Sequence, residues 1–240
     1  LGNDIVHNLP RALMGWGALV TILILMGSLF LRDAPEAQVT KVSKQHQYTT
    51  AEMLRTPQAY LLFIALFTIC LSVYLTGIAT NLGTNLAGLS IERAATVVAL
   101  IAISNTVGRF VIGTLSDRFG RKPMLMLTYS ATLIAVLVLT FSSHIAVPMF
   151  YAMMMMVGFF FGGTITVFPS LVGDYFGLQN HSQNYAMIYQ GFGFGSLAGA
   201  LVLSLAGGNL AVVFYTYIVL LIVSLIIWLT IKTPKYVESK

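Results

Sequence analysis

Two stretches of this chain contain no charged residue at all: 51 consecutive residues, 123–173, and 57 consecutive residues, 175–231. A water-soluble fold has no use for such runs, because any helix or strand at its surface needs polar side chains on the face that meets water. A helix that crosses a bilayer needs about 20 mostly apolar residues, so each run is long enough for two spans and a turn. Charged residues make up only 9% of the chain, against about a quarter in ordinary soluble domains. Mean hydropathy is +0.84. Lipid is therefore expected to take the place of water around most of this chain.

Cutting the apolar runs at turn residues predicts seven spanning helices in an all-α polytopic membrane fold. The first covers about 12–31, the second about 59–80 and the third about 94–116, with Arg109 inside it. Ser142, Ser143, His144 and Pro148 divide the first uncharged run into a fourth and a fifth span. The sixth starts near Tyr185 and the seventh near Leu210, framed by polar residues 179–184 and by Gly207, Gly208 and Asn209. Residues 33–57 mix charges with two prolines and read as a linker. The expected organisation is one helix in 1–32, a linker in 33–57, a six-helix bundle in 58–232 and a tail in 233–240.

Lysine and arginine in short loops are retained on the cytoplasmic side. With seven alternating spans, Arg32, Lys41, Lys44, Arg55, Arg118, Arg121, Lys122, Lys232, Lys235 and Lys240 share one side. Only Arg11 and Arg93 fall on the other, so the linker and the carboxyl tail are expected to be cytoplasmic. The net charge of +5 is then a topology signal. The basic residues form no patch interleaved with aromatics, and no nucleic-acid partner is expected. The lone Cys70 rules out an internal disulfide and a CxxC site, and reads as packing; no metal or cofactor is expected. The chain starts at Leu1 and shows no signal-peptide pattern, so it is expected to be a piece of a longer protein.

An intramembrane serine protease needs a buried serine with a histidine in reach. His7, His46, His144 and His181 all fall outside the predicted spans or at their edges. An aspartyl protease needs two carboxylates within the membrane, and the spans hold none, so no enzyme is expected. Gly193, Gly195 and Ala198 fit a dinucleotide-binding spacing, but they lie inside a span with no strand before them.

Arg109 is the anomaly. A cation this deep in a span costs about 2.5–3.5 kcal/mol on the insertion scale, and no carboxylate in the spans offsets it. Asn105 stands one turn earlier on the same helix. An anionic substrate is the expected counter-ion, because a guanidinium grips a carboxylate with two parallel hydrogen bonds. The sixth span offers Tyr189 and Gln190 as hydrogen-bond donors to a cavity, with Tyr185, Phe192 and Ser196 along nearly the same face. Its glycines Gly191, Gly195 and Gly199 recur every four residues and allow close packing or bending. Pro169 is expected to bend the fifth span. The methionines at 153–156 and the phenylalanines at 159–161 read as adaptable packing.

Gly113, Leu115, Asp117, Arg118, Gly120, Arg121 and Lys122 together resemble the signature G-x-L-x-D-R-x-G-R-K of the major facilitator superfamily. The resemblance implies that the seven spans are helix six and the six-helix second bundle of such a carrier, and that this short loop latches one conformation. Asp117 is expected to accept hydrogen bonds at a neighbouring helix amino terminus, with Gly113 allowing close helix contact.

A closer resemblance lies in Arg32, Asp33 and Pro35 at the exit of the first span, then in Gly162, Gly163, Pro169, Asp174 and Gly177, and in Asn184, Tyr185, Tyr189, Gly193, Gly195 and Ser196. Together they are similar to the oxalate/formate antiporter family of bacterial small-carboxylate carriers. The resemblance implies two six-helix bundles with alternating access, the bacterial inner membrane, and a substrate such as formate, pyruvate, lactate or oxalate. It also implies that Arg109, within Gly108 to Gly113, binds the anion, and that an amino-terminal bundle is the partner. Two departures stand out. Oxalate-handling members carry a lysine where Phe192 stands, and proton-coupled monocarboxylate carriers carry an aspartate where Asn105 stands. Antiport and symport both stay open at this point, as do an anion channel and a carrier-derived sensor or scaffold.

Overall fold

The computed structural model describes residues 2–30, 46–142 and 144–234, apart from the side chains of 2–7 and of residue 12. Arg32, Asp33, Pro35, Lys41 and Lys44 of the expected linker region, and Lys235 and Lys240 of the expected tail, lie outside the described residues. The described residues are helical, with no strand among them, and divide into two units, 1–44 and 45–240. Among the described residues seven helical stretches are long and apolar enough to cross a membrane, one of them, Pro57–Gly77, made of two successive helices.

The first unit holds α1 (Gly2–Ser28), which runs straight through Pro10 and exposes Leu13, Trp16 and Leu23. It begins ten residues before the expected span, because hydropathy marks where a helix is apolar and not where it starts.

The second unit opens on a turn of helix inside the expected linker, α2 (Thr50–Leu54). Thr49 and Glu52 form a capping box there: the Thr49 hydroxyl accepts from the Glu52 amide, and the Glu52 carboxylate accepts from the Thr49 amide. The second expected span is not one helix. It is α3 (Pro57–Ile69), α4 (Leu71–Gly77) and α5 (Ala79–Ala87), broken at Cys70 and at Ile78. Ile78 sits at φ −99° and ψ 11°, outside the helical well.

The remaining helices are α6 (Ile91–Phe119), α7 (Arg121–Phe141), α8 (Val147–Phe176), α9 (His181–Leu205) and α10 (Leu210–Thr230). Ser90 caps α6 by accepting from the Arg93 amide, and Asn209 caps α10 by accepting from the Ala211 amide. Gly120, at φ 93°, is the single residue between α6 and α7. Pro148 lies in the first turn of α8, where its missing N–H costs nothing. α8 continues through Pro169 without a break.

Glycine decides how closely these helices approach. A Cβ on Gly108 of α6 would lie 1.9 Å from the Phe159 carbonyl oxygen of α8, and one on Gly162 would lie 2.2 Å from the Asn105 carbonyl oxygen. The two backbones therefore touch at their crossing. Gly191, Gly195 and Gly199 do the same for α9: their Cβ atoms would meet Phe63 O, Phe67 O and the Tyr74 ring within 2.6 Å. The core behind these contacts joins α7, α8 and α10 through Tyr129, Phe168 and Trp228. Buried hydroxyls are satisfied between helices, as in Thr68 with Ser224, Ser72 with Tyr217 and Thr164 with Thr128.

Candidate functional site

Arg109 lies on an exposed face of α6, ten residues before the helix ends at Phe119. Its Nε donates to Asn105 Oδ1 at 3.3 Å. Asn105 is held in turn: its Nδ2 donates to the Gly158 carbonyl at 3.1 Å, across the glycine crossing of α6 and α8. The terminal nitrogens of Arg109 make no hydrogen bond to a described residue, and no described carboxylate pairs with it. The guanidinium borders a cavity of about 610 Å³ walled by Val73 and Thr76 of α4, Ile101 and Asn105 of α6, and Phe161 of α8. A planar anion placed there would meet a two-pronged donor beside apolar side chains.

Tyr189, on α9, lies within electrostatic reach of the Arg109 charge. Its ring stacks on Phe192 with centroids 5.0 Å apart, and Phe192 leans on Phe161 of the cavity wall at 6.5 Å. The column continues the other way to Tyr185 at 5.2 Å, and from Tyr185 to His181 at 5.9 Å. His181 Nε2 bonds to the carbonyl of Pro169, 2.9 Å away, so the proline of α8 is tied to the start of α9. The carbonyl can only accept, so Nε2 carries the proton. Gln190 goes elsewhere. It lines a separate groove with Met53, Tyr60, Phe63 and Met187, and donates to Ala186 O of its own helix. One residue along a helix turns a side chain by about 100°, which separates Gln190 from Tyr189.

A second, polar groove of about 250 Å³ leads from Arg109 past Gly113, Thr166 and Ser170 to Asp117 and Arg121. A Cβ on Gly113 would lie 3.1 Å from Thr166, a looser approach than at Gly108. Asp117 does not accept from a helix amino terminus: its carboxylate pairs with Arg121 four residues on. Arg121 also donates through Nε to Asp174 at the end of α8, 3.4 Å away, and through Nη1 to Ser116 at 2.9 Å. This one arginine ties the ends of α6 and α8 to the start of α7. Lys122 donates to the Ile231 carbonyl at 2.7 Å, just beyond α10, while Arg118 is exposed.

Sequence reading missed three participants: the Gly158 carbonyl that orients Asn105, the Phe161 wall, and the pairing of Gly108 and Gly162 that brings them there. The glycines and phenylalanines were visible, but not which ones face each other. Among the described residues no three of His, Cys, Asp and Glu come together as for a metal.

A multi-pass helical bundle with an arginine beside a cavity between its helices defines a polytopic membrane protein. The family model of the Major Facilitator Superfamily matches residues 9–183 and 59–240, and the chain belongs to that superfamily. It is 40% identical over 193 residues to an uncharacterized MFS-type transporter, YhjX, of Escherichia coli (strain K12), covering 79% of this chain and 48% of that one. It is 26% identical over 216 residues to the oxalate:formate antiporter of Oxalobacter formigenes, covering 86% of this chain and 51% of that one. The chain thus spans about half the length of the curated relatives it matches.

Proposed function

We propose that this chain is the second-half portion of a secondary active carrier that moves small carboxylate anions by alternating access. The observation that carries the reading is Arg109, whose Nε is occupied by Asn105 and whose terminal nitrogens face a cavity with no described carboxylate opposite them. Formate, pyruvate, lactate and oxalate are the candidate substrates, with Arg109, Asn105 and Tyr189 as the binding residues on this side. Resemblance to the oxalate:formate antiporter, at 26% identity, supports the carboxylate class. A preceding six-helix bundle would supply the opposite wall, with α1 as its last helix. The excess of Arg and Lys around Arg121 and in 31–55 supports a cytoplasmic linker and carboxyl tail, and the bacterial relatives support an inner-membrane location. Pro169 and the Asp117–Arg121–Asp174 cluster would then lie at the cytoplasmic gate.

The decisive test is uptake and counterflow by the full-length carrier in liposomes, with labelled formate, oxalate, pyruvate and lactate at several pH values. Saturable exchange of at least one is expected. Failure of all four to exchange or to compete would refute the carboxylate assignment, and flux without saturation would indicate a channel.

A further inference from the structure

We propose that residues 46–49 form a releasable strap across the turn between α8 and α9, and that the strap must let go for α9 to move during transport. The inference rests on the carrier reading above.

The strap lies where the linker meets the bundle, and five hydrogen bonds among the described residues help to attach it. The Gln47 side chain places Oε1 against two backbone amides of the turn, accepting from Leu178 at 2.8 Å and from Gln179 at 3.0 Å. The Tyr48 amide donates to the Phe176 carbonyl at 2.9 Å. The Tyr48 carbonyl receives two side-chain amides, from Asn180 at 3.1 Å and from Asn184 at 3.0 Å. The turn is shaped for this contact. Gly177 has φ 86°, and a Cβ there would lie 2.3 Å from Gln47 Oε1, so only glycine admits the glutamine.

Four of the five bonds use a side-chain amide as donor or acceptor. The Gln47 bonds are exposed and are readily exchanged for bonds to water, unlike a buried backbone ladder. The fifth is the backbone bond from Tyr48 to Phe176, beside a Tyr48 ring that is 4% exposed and packs edge-on against Phe176. A second observation points to another arrangement. Asn184 is fully buried, yet its Oδ1 has no partner among the described residues. A buried amide left half satisfied favours any conformation that completes it.

What the strap holds bears on the site. Asn184 is followed by Tyr185, the ring that begins the column to Tyr189 and Phe192. The strap runs directly into α2 and α3, and α3 grips α9 farther along at Gly191 and Gly195. One continuous segment, 46–69, thus touches α9 at its start and at its middle. A shift of α9 relative to α8 would stretch the Gln47 and Asn184 bonds first.

The test uses the full-length carrier in a background without other cysteines, with Gln47→Cys and Gln179→Cys joined by a short bifunctional methanethiosulfonate that dithiothreitol reverses. Two readouts follow: carboxylate exchange in liposomes, and the alkylation rate of Phe110→Cys beside Arg109, which needs no knowledge of the substrate. Joining the pair is expected to slow exchange at least tenfold and to change the alkylation rate at least threefold. Reduction should restore both to the values of the unjoined double variant, and Gln179→Cys alone with the reagent should leave both unchanged, since only the backbone of Gln179 meets the strap. Normal exchange and unaltered alkylation with the strap locked would overturn the proposal. If the unlocked carrier exchanges no carboxylate while locking still alters alkylation, the strap stands and the substrate assignment fails.

Discussion

Asn105 and Arg109 share a hydrogen bond whose direction is set from the far side. The Gly158 carbonyl can only accept, so the amide nitrogen of Asn105 turns to it, and Oδ1 is left for Arg109 Nε at 3.3 Å. An asparagine placed this way orients the guanidinium without neutralising it.

Arg109→Gln in the full-length carrier removes both prongs of the fork. Two charge-assisted hydrogen bonds contribute about 3 kcal/mol, so carboxylate affinity should fall about a hundredfold or more. Stability should change by less than about 1 kcal/mol, because an exposed side chain outside special contacts contributes little. Arg109→Lys keeps the charge and loses the planar geometry, and should retain transport at a weaker affinity. Isothermal titration and a thermal-shift assay separate the two effects. If Arg109→Gln binds normally and only melts earlier, the arginine is structural.

Asp117→Asn weakens the hub around Arg121. The Asp117 side chain is 65% exposed, so the loss in stability should stay within about 1 kcal/mol. Asp174 and Ser116 still hold Arg121. The expected effect is on conformational balance, as a severalfold change in alkylation of Thr166→Cys in the adjoining groove. An unchanged rate would leave Asp117 a role in local packing alone.

Glu52 holds the amino end of α2, and hydrogen bonding from the Thr49 amide lowers its pKa below the ordinary value of 4.5. For a carboxylate lowered in the folded state, the stabilisation is fully present above the unfolded pKa and fades as pH falls through the folded one. The cap should therefore be intact at neutral pH and fade as pH falls below 4.5 and through the lowered folded value. Hydrogen exchange at Met53 and Leu54 checks this. Protection should drop with acid in the native carrier and be low at every pH in Glu52→Gln.

Much of the fold was legible because its limits are written in residue types. Gly120 with its flanking basic residues marks the α6–α7 turn, and Pro148 marks the start of α8. The break at Cys70 was not legible, since it sits in an apolar run with no proline or glycine beside it, whereas the break at Ile78 directly follows Gly77, a residue not used as a cut between spans. Arg109 and Asn105 stood out as polar residues in a span, one helical turn apart. Tyr189 and Gln190 looked equivalent as donors, although the helix sends Gln190 to a groove and stacks Tyr189 between Tyr185 and Phe192. Contacts such as Gln47 with Gly177 leave no periodic trace, because residues 130 positions apart meet only through the tertiary fold.

The glycine crossing supports the last prediction, because it holds Asn105 and the Gly158 carbonyl in register. A methyl group at Gly108 would lie 1.9 Å from Phe159 O, and one at Gly162 would lie 2.2 Å from Asn105 O. Both obstacles are backbone atoms, which cannot rotate away, so α6 and α8 would have to separate. Overpacking of this kind costs about 1–3 kcal/mol or more, and the bond from Asn105 to Gly158 would lengthen with the separation. Gly108→Ala and Gly162→Ala should each lower the melting temperature and weaken carboxylate binding in the protein that still folds. Gly193→Ala is the control, since nothing lies within 4 Å of a Cβ there. Alanine favours a helix over glycine by about 1 kcal/mol, so this variant should be as stable as the parent or more so. Thermal unfolding in detergent and titration with the preferred carboxylate measure both effects. If Gly108→Ala and Gly162→Ala melt like Gly193→Ala and bind as tightly as the parent, the close approach of the two helices is not what positions Arg109.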